Sequence, residues 1–252
     1  MTSTGIGTGL RTSLIIITLG FGAFASLATV LAFFGDTWWV FDLLANFRWQ
    51  LAWISILSAV VYALAAQGIA AVVFVAAAII NAFVLAPAWT GSQPLGVGEN
   101  GVRVVSVDLY GGTSDEEATL RWLFDSDADV LIASGVSDTR LAPLATDGSP
   151  YQVLASPPPD TTGVGVLGRG DYVVDTTVVE ATGETIYVIR VPSGDETIGI
   201  VTAWGRLATN AESADALDAR VATIRSIVES RDEPLVVMGN LGSTRYAHAV
   251  RS

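Results

Sequence analysis

Val104-Val105-Ser106-Val107-Asp108-Leu109-Tyr110-Gly111 is an apolar run that ends in a carboxylate and a glycine turn. Leu235-Val236-Val237-Met238-Gly239-Asn240-Leu241-Gly242-Ser243-Thr244 repeats the plan near the other end of the chain, with an amide where the first has an acid. Short continuous apolar runs bounded by turn residues read as strands buried on both faces. Between them lie further runs of the same kind at 130–133, 151–155, 163–167, 172–179, 185–190 and 198–203, several alternating with period two. Helical patterns occupy about 114–124 and 211–229. Ser114 and Glu117 have capping-box spacing, and Leu217, Val221, Ile224, Ile227 and Val228 line one side of the second helix. Strands interleaved with helices imply layered α/β packing, and residues 102–252 are enough chain for one core.

The chain before this series has a different solvent. Residues 49–98 contain no charged side chain, and neither do residues 12–35. A helix that crosses a bilayer needs about 20 apolar residues, so the shorter block fits one span and the longer fits two. The expectation is an anchor over 1–91 with spans near 13–34, 49–66 and 69–89, Gln67-Gly68 turning the second into the third, and a linker at 92–101. The first block is longer than the 7–15-residue core of a signal peptide, which favours a retained span. Arg11 before the first span places the amino terminus in the cytoplasm by the positive-inside rule. Three spans then put residues 102–252 outside the cytoplasm, on the periplasmic side of a bacterial inner membrane. Trp38, Trp39, Phe41, Trp49, Trp53 and Trp89 fall where span ends meet lipid headgroups, as an aromatic belt does. Residues 41–48 suit a short surface helix, and Asp36, Asp42 and Arg48 fall in the loop after the first span.

Charge is confined to the second part. Residues 99–252 hold 23 acidic residues and 11 arginines, which is the whole net charge of −12, and the chain has no lysine. Such a domain repels a phosphate backbone, so no nucleic-acid partner is expected. Absence of cysteine removes disulfides and thiolate chemistry. One histidine, His248, excludes a multi-histidine metal site. The 163–168 segment matches G-x-G-x-x-G, but a strand rather than a helix follows it, so it is read as a strand of small residues. Asp125, Asp127 and Asp129 lack the glycine and bidentate glutamate of a calcium loop and read as a solvated turn.

The order of strand-end motifs resembles the endonuclease/exonuclease/phosphatase superfamily, and the three-span prefix resembles its bacterial membrane-anchored members. The resemblance implies two β-sheets packed face to face, helices outside, and a site at one end of the sandwich. In that family the first strand ends in S-F/Y-N, the next motifs read Q-E and T-H, and a later strand ends in G-D-x-N. The matching positions here are Asp108 for the first Asn, Gly135 for the Glu, Trp204 for the His, Asn240 for the Asp and Gly242 for the last Asn. The closing D-H motif has no counterpart before Ser252. The family's chemistry relies on a divalent ion held by carboxylates that polarises a phosphoryl group. Gly135 offers no ligand, Asn240 takes no proton, Gly242 donates no side-chain hydrogen bond, and Trp204 puts bulk where an imidazole stood. Asp108 with Asn240 makes a poor ion site, and Asp138 is the nearest substitute carboxylate in sequence.

The implied function is therefore a non-catalytic, membrane-anchored pseudo-phosphodiesterase with no cofactor and no metal. It would be an accessory or structural subunit of a larger membrane assembly, for example a respiratory or photosynthetic complex. Its partners would be the bilayer and other membrane-protein subunits. Small residues in the spans (Gly20, Gly22, Ala23 and Ser26; Ala76, Ala77 and Ala78) suit close helix contacts. The alternative is a residual metal-dependent phosphodiesterase or phosphatase acting near the membrane.

Overall fold

The computed structural model describes residues 3–89, 101–111, 116–141, 145 and 148–244, with the side chains of 3–11, 88–89, 116–117 and 120 left out. The Arg11 and Trp89 side chains, residues 92–100 of the linker, the Ser114–Glu117 capping box and His248 lie outside this description. The chain divides into two compact units, one holding the helices before residue 90, the other the strands.

The first unit comprises α1 (Ser3–Leu31), α2 (Trp39–Ala45), α3 (Arg48–Leu64) and α4 (Gly68–Trp89). Two segments are long and apolar enough to cross a membrane: Thr12–Leu31, of mean hydropathy 2.3, and Gly68–Pro87, of mean hydropathy 2.7. The expected third span, 49–66, is a 17-residue helix that falls short by itself. It makes a third crossing only when joined to α2, from which it bends by 70°. The shortening has a local cause. Ala66 takes a left-handed φ of 60°, and Gln67 N–H donates to the Tyr62 carbonyl, closing the turn before α4. Helix α2 falls where the 41–48 surface helix was expected.

The inner seam is built from small residues. A Cβ on Gly22 would lie 2.7 Å from the Phe74 ring and 2.8 Å from Ser58 Oγ, so only glycine lets α1 approach α3 and α4 this closely. Ala25, Ala28 and Ala77 are buried on the same side, whereas Gly20 has nothing within 4 Å. Arg48 overturns its placement in a loop: it opens α3 and is fully buried. Its Nη1 donates to the Thr29 carbonyl at 3.0 Å and to Asn81 Oδ1 at 3.3 Å, and its guanidinium sits 4.3 Å over the Phe33 ring. Asn81 Nδ2 donates in turn to Thr29 Oγ1 at 2.7 Å and to the Ala77 carbonyl at 3.0 Å. This network ties α1, α3 and α4 where water has no access, which is where polar groups need internal partners most. Outward positions carry Ile16, Phe21, Phe24, Leu57, Ile69 and Phe83, all exposed. An apolar exterior around a polar clasp suits a lipid solvent. Trp38, Trp49 and Trp53 are also exposed, in edge-to-face pairs Trp38–Phe41 and Trp49–Trp53 with centroids 5.2 and 6.0 Å apart.

The second unit is two four-stranded sheets. Strands β1 (Val104–Asp108), β2 (Val130–Val136), β3 (Gln152–Ala155) and β4 (Gly163–Gly168) form the first in the order β1-β2-β4-β3. Strands β5 (Val173–Val178), β6 (Thr185–Ser193), β7 (Glu196–Trp204) and β8 (Leu235–Asn240) form the second in numerical order. β1 and β2 are parallel, as are β7 and β8; the other pairs are antiparallel. Both sheets are therefore mixed. Val130, Ile132, Val164 and Val166 of one sheet pack against Ile189, Val191 and Ile200 of the other. Each such side chain contributes about 1.5–3 kcal/mol by leaving water. Helix α5 (Glu116–Asp125) and α6 (Asp138–Leu141) cover the first sheet through Leu123 and Leu141. Helix α7 (Ala211–Glu229) covers the second through Ile224 and Ile227. Asn210 caps α7, its Oδ1 accepting from Ser213 N–H while Ser213 Oγ accepts from Asn210 N–H.

Every expected strand is present, with ends displaced by a few residues. However, β1 and β8, expected to be buried on both faces, carry exposed residues because each lies at the edge of its sheet. β2 continues to Val136 because Gly135, at φ +70°, makes a bulge rather than a stop. β6 and β7 run on to a tight turn at Gly194, φ +62°. α6 was not anticipated, since four residues leave no periodic signal.

Candidate functional site

Parallel pairing brings the carboxyl ends of β1, β2, β7 and β8 to one end of the sandwich, and the five positions singled out in the sequence lie there. Asp108 closes β1 and Asn240 closes β8. Asn240 Nδ2 donates to Asp108 Oδ2 at 2.6 Å, Tyr110 N–H donates to Asp108 Oδ1 at 3.1 Å, and Asn240 Oδ1 accepts from Gly242 N–H at 2.9 Å. The amide thus turns its nitrogen to the carboxylate and its oxygen to the backbone. The side-chain atom with which Asn240 could ligate a cation faces the Gly242 N–H.

Gly135 is closed in another way. Its φ of +70° favours glycine, and a Cβ there would lie 2.5 Å from Tyr110 Cβ and 2.8 Å from Tyr110 Cα. Tyr110 therefore occupies the space that a side chain at 135 would need. Gly242, at φ +74°, is similar: a Cβ would overlap the Arg206 carbonyl oxygen. Trp204, at the end of β7, packs on Tyr110 with ring centroids 5.2 Å apart. Arg206 lies 5.3 Å over the other partner of that stack, the Tyr110 ring, and its Nε donates to the Tyr110 hydroxyl at 3.0 Å. An aromatic–guanidinium stack fills the middle of the site.

Behind the stack lies a pair that sequence reasoning missed. Arg220 on α7 is 2 % exposed. Its Nε and Nη2 donate to Glu184 at 2.9 and 2.7 Å, and its Nη1 donates to the Leu241 carbonyl at 2.8 Å. The guanidinium lies so close to Gly205 that a Cβ there would overlap it. This fork-shaped pairing fixes the turn before β6 and the chain after β8 to α7. Nothing local in the sequence marks it, because the partners come from separate elements. Trp204 also lines a pocket of about 200 Å³ with Pro157, Thr161, Gly163, Thr182, Glu184 and Tyr187. The indole Nε1 is buried and has no acceptor among the described residues.

Asp138, the substitute carboxylate in sequence, opens α6 and accepts from Thr139 N–H at 2.8 Å. Among the described residues no three His, Cys, Asp or Glu side chains come together in a way that could hold a metal ion. One carboxylate and an amide turned away do not fit the divalent ion that the resemblance implies, which needs oxygen ligands at short distance. The Asp125–Asp129 turn is closed by other means: Asp127, at φ +54°, pairs with Arg169, and Asp129 accepts from Arg103 N–H at 2.7 Å. The 163–168 segment is strand β4.

No family model matches this chain, and no curated protein sequence matches it. Among solved structures it is similar to TDP2 of D. rerio complexed with a single-strand DNA product, at 12 % identity and a TM-score of 0.48, covering 57 % of this chain and 61 % of that one. It is also similar to the human Nocturnin catalytic domain with bound sulfate, at 14 % identity and a TM-score of 0.46, covering 60 % and 67 %. A third is sphingomyelinase C from Streptomyces griseocarneus, at 12 % identity and a TM-score of 0.42, covering 60 % and 66 %. These are proteins of the endonuclease/exonuclease/phosphatase fold. The chain spans about three fifths of the length of the D. rerio TDP2 structures it matches.

Proposed function

We propose that this chain is a membrane-anchored, non-catalytic pseudo-phosphodiesterase that works as an accessory or structural subunit of a larger membrane-protein complex. The observation that carries the reading is the approach of Tyr110 to Gly135. The position that bears the family's ion-binding carboxylate is here a left-handed glycine with a tyrosine backbone against it. An ion site is thus refilled with packing rather than left open, and Arg206 over the Tyr110 ring extends that packing to the surface. The amino terminus is cytoplasmic and the α/β domain extracytoplasmic in this reading, and the apolar outer faces of α1 and α4 meet lipid or neighbouring helices.

Two experiments bear on it. Purified protein assayed with Mg²⁺ or Mn²⁺ on generic phosphodiesters is expected to give no turnover; turnover that vanishes in Asp108→Ala supports the residual hydrolase instead. Extraction of native membranes in mild detergent is expected to yield the chain in a larger assembly, weakened by Trp38→Ala with Trp39→Ala. Migration alone, unchanged by that double substitution, removes the subunit role.

A further inference from the structure

Two sheets have four edge strands, and three of them are protected. β3 is four residues long and bulged between Val153 and Ala155. β5 carries Asp175 at its centre, held by Arg190 and Arg231. β1 ends in Asp108 and follows Arg103, whose N–H is taken by Asp129. β8 has none of these devices. Leu235–Asn240 contains no charge and no proline, and it runs six residues against β7 without a shift of register. Val236 is 47 % exposed and Val237 is 44 % exposed. Successive residues of a strand point to opposite faces, so each face of β8 carries one exposed valine beside a packed residue, Met238 on one side and Leu235 on the other. Among the described residues no strand pairs with its outer edge. α7 reaches the outer face at Leu235 but leaves Val237 open. A long apolar edge with free backbone groups is a template for another strand, and natural proteins blunt such edges unless they use them.

We propose that β8 is the docking edge for an extended segment of a partner polypeptide, apolar at alternate positions and basic at its ends. β-Strand addition supplies the backbone hydrogen bonds, and Val236 and Val237 supply the side-chain contacts on the two faces. Charge selects the occupant. Residues 99–252 carry the whole net charge of −12, so a second copy would bring two strongly acidic domains together against their mutual repulsion. The ends of β8 agree with this, since exposed Asp232 precedes it and Asp108 stands beside Asn240 at its close. Of the cations described at that end, Arg206 is turned onto Tyr110, and Arg220 is paired with Glu184 while donating to the Leu241 carbonyl. The proposal rests on the reading of this domain as an interaction module and gives that reading a surface.

The test uses the full chain in detergent and a fluorescein-labelled peptide of alternating valine and threonine with lysine at both ends. Anisotropy is expected to rise saturably, to respond at least tenfold more weakly when glutamates replace the lysines, and to vanish in Val237→Lys. Val237→Thr, which keeps the strand uncharged, retains binding, and so does Val178→Lys on the β5 edge. Absence of saturable binding, equal binding of the two peptides, or insensitivity to Val237→Lys overturns the proposal. So does a concentration-dependent dimer in sedimentation that is lost in Val237→Lys, which would assign the edge to a second copy. Phosphodiesterase turnover with peptide binding intact would end the non-catalytic reading and leave this result standing. Failure of binding with no turnover would end this proposal alone.

Discussion

Asn240 Nδ2 meets Asp108 Oδ2 at 2.6 Å across 132 residues of sequence. The bond joins the last residues of β1 and β8, one from each sheet. The one carboxylate among the five candidate positions is thereby coupled to an amide whose oxygen is already engaged with Gly242. A hydrogen bond to an ionised group contributes about 1.5–3 kcal/mol when shielded and less in solvent. Its role here is to hold the ends of the two sheets together.

Introducing the residues that the resembled family carries at these positions is expected to damage the fold without creating activity. Gly135→Glu meets the Tyr110 backbone and Gly242→Asn meets the Arg206 carbonyl, both at positive φ. Strain of this kind costs about 1–3 kcal/mol before any clash is relieved. Thermal unfolding of each variant should show a clear fall in Tm, while phosphodiesterase assays stay at background. A variant as stable as the parent would contradict the packing described around Tyr110.

Glu184→Ala is expected to be among the most destabilising single changes in the α/β domain. It leaves Arg220, 2 % exposed by side chain, facing only the Leu241 carbonyl, while the Glu184 side chain itself is 30 % exposed. Removing one partner of a buried pair costs about 3–5 kcal/mol, and partial exposure of the glutamate lowers that to about 2–3 kcal/mol. Chemical denaturation measures it. Arg220→Met, which removes the buried charge along with its partner's need, should cost less.

Acid should weaken the base of the second sheet. Arg231 beside Asp175, helped by Arg190, holds the Asp175 carboxyl below the ordinary carboxylate range. Arg231 does the same to Glu233. Depressed folded values mean that the unfolded chain takes up protons first as pH falls. This stability is complete above the ordinary carboxylate pKa of about 4 and is lost below it, as pH falls through the folded values. Tm measured from pH 6 down to pH 3 should drop at the acid end, and Arg231→Ala should flatten that drop. An identical acid profile in the variant would remove Arg231 from the explanation.

The strands were legible because each is an apolar run closed by glycine, proline or charge, and such runs need only local chemistry to be read. The five candidate positions could be placed at or beside strand ends for the same reason. What filled the site was not. Tyr110 over Gly135, Arg206 on Tyr110 and Arg220 on Glu184 are contacts between elements far apart in sequence, and no spacing encodes them. Arg48 misled in the opposite direction. It borders a charge-free run and reads as a loop charge, yet its partners Thr29 and Asn81 are polar residues of neighbouring helices that draw it inside.

That clasp predicts a loss in the anchor. Asn81→Leu removes one acceptor of Arg48 and the donor to Thr29 Oγ1. Interhelical hydrogen bonds in membranes contribute about 0.6–2 kcal/mol each. Unfolding of the detergent-solubilised chain should occur at lower denaturant in the variant, whereas Phe83→Leu on the exposed face should change little.

The central claim is that the sandwich end, with Asp108 bonded to Asn240 and Gly135 covered by Tyr110, holds no catalytic ion. Titration of the purified full chain with Mn²⁺, followed by the paramagnetic resonance of the free ion, tests this most directly. The account predicts no saturable site at about millimolar Mn²⁺, the weak end of the affinities known for oxygen-ligand cation sites, and the same trace for Asp108→Ala. One-to-one binding that disappears in Asp108→Ala would contradict it.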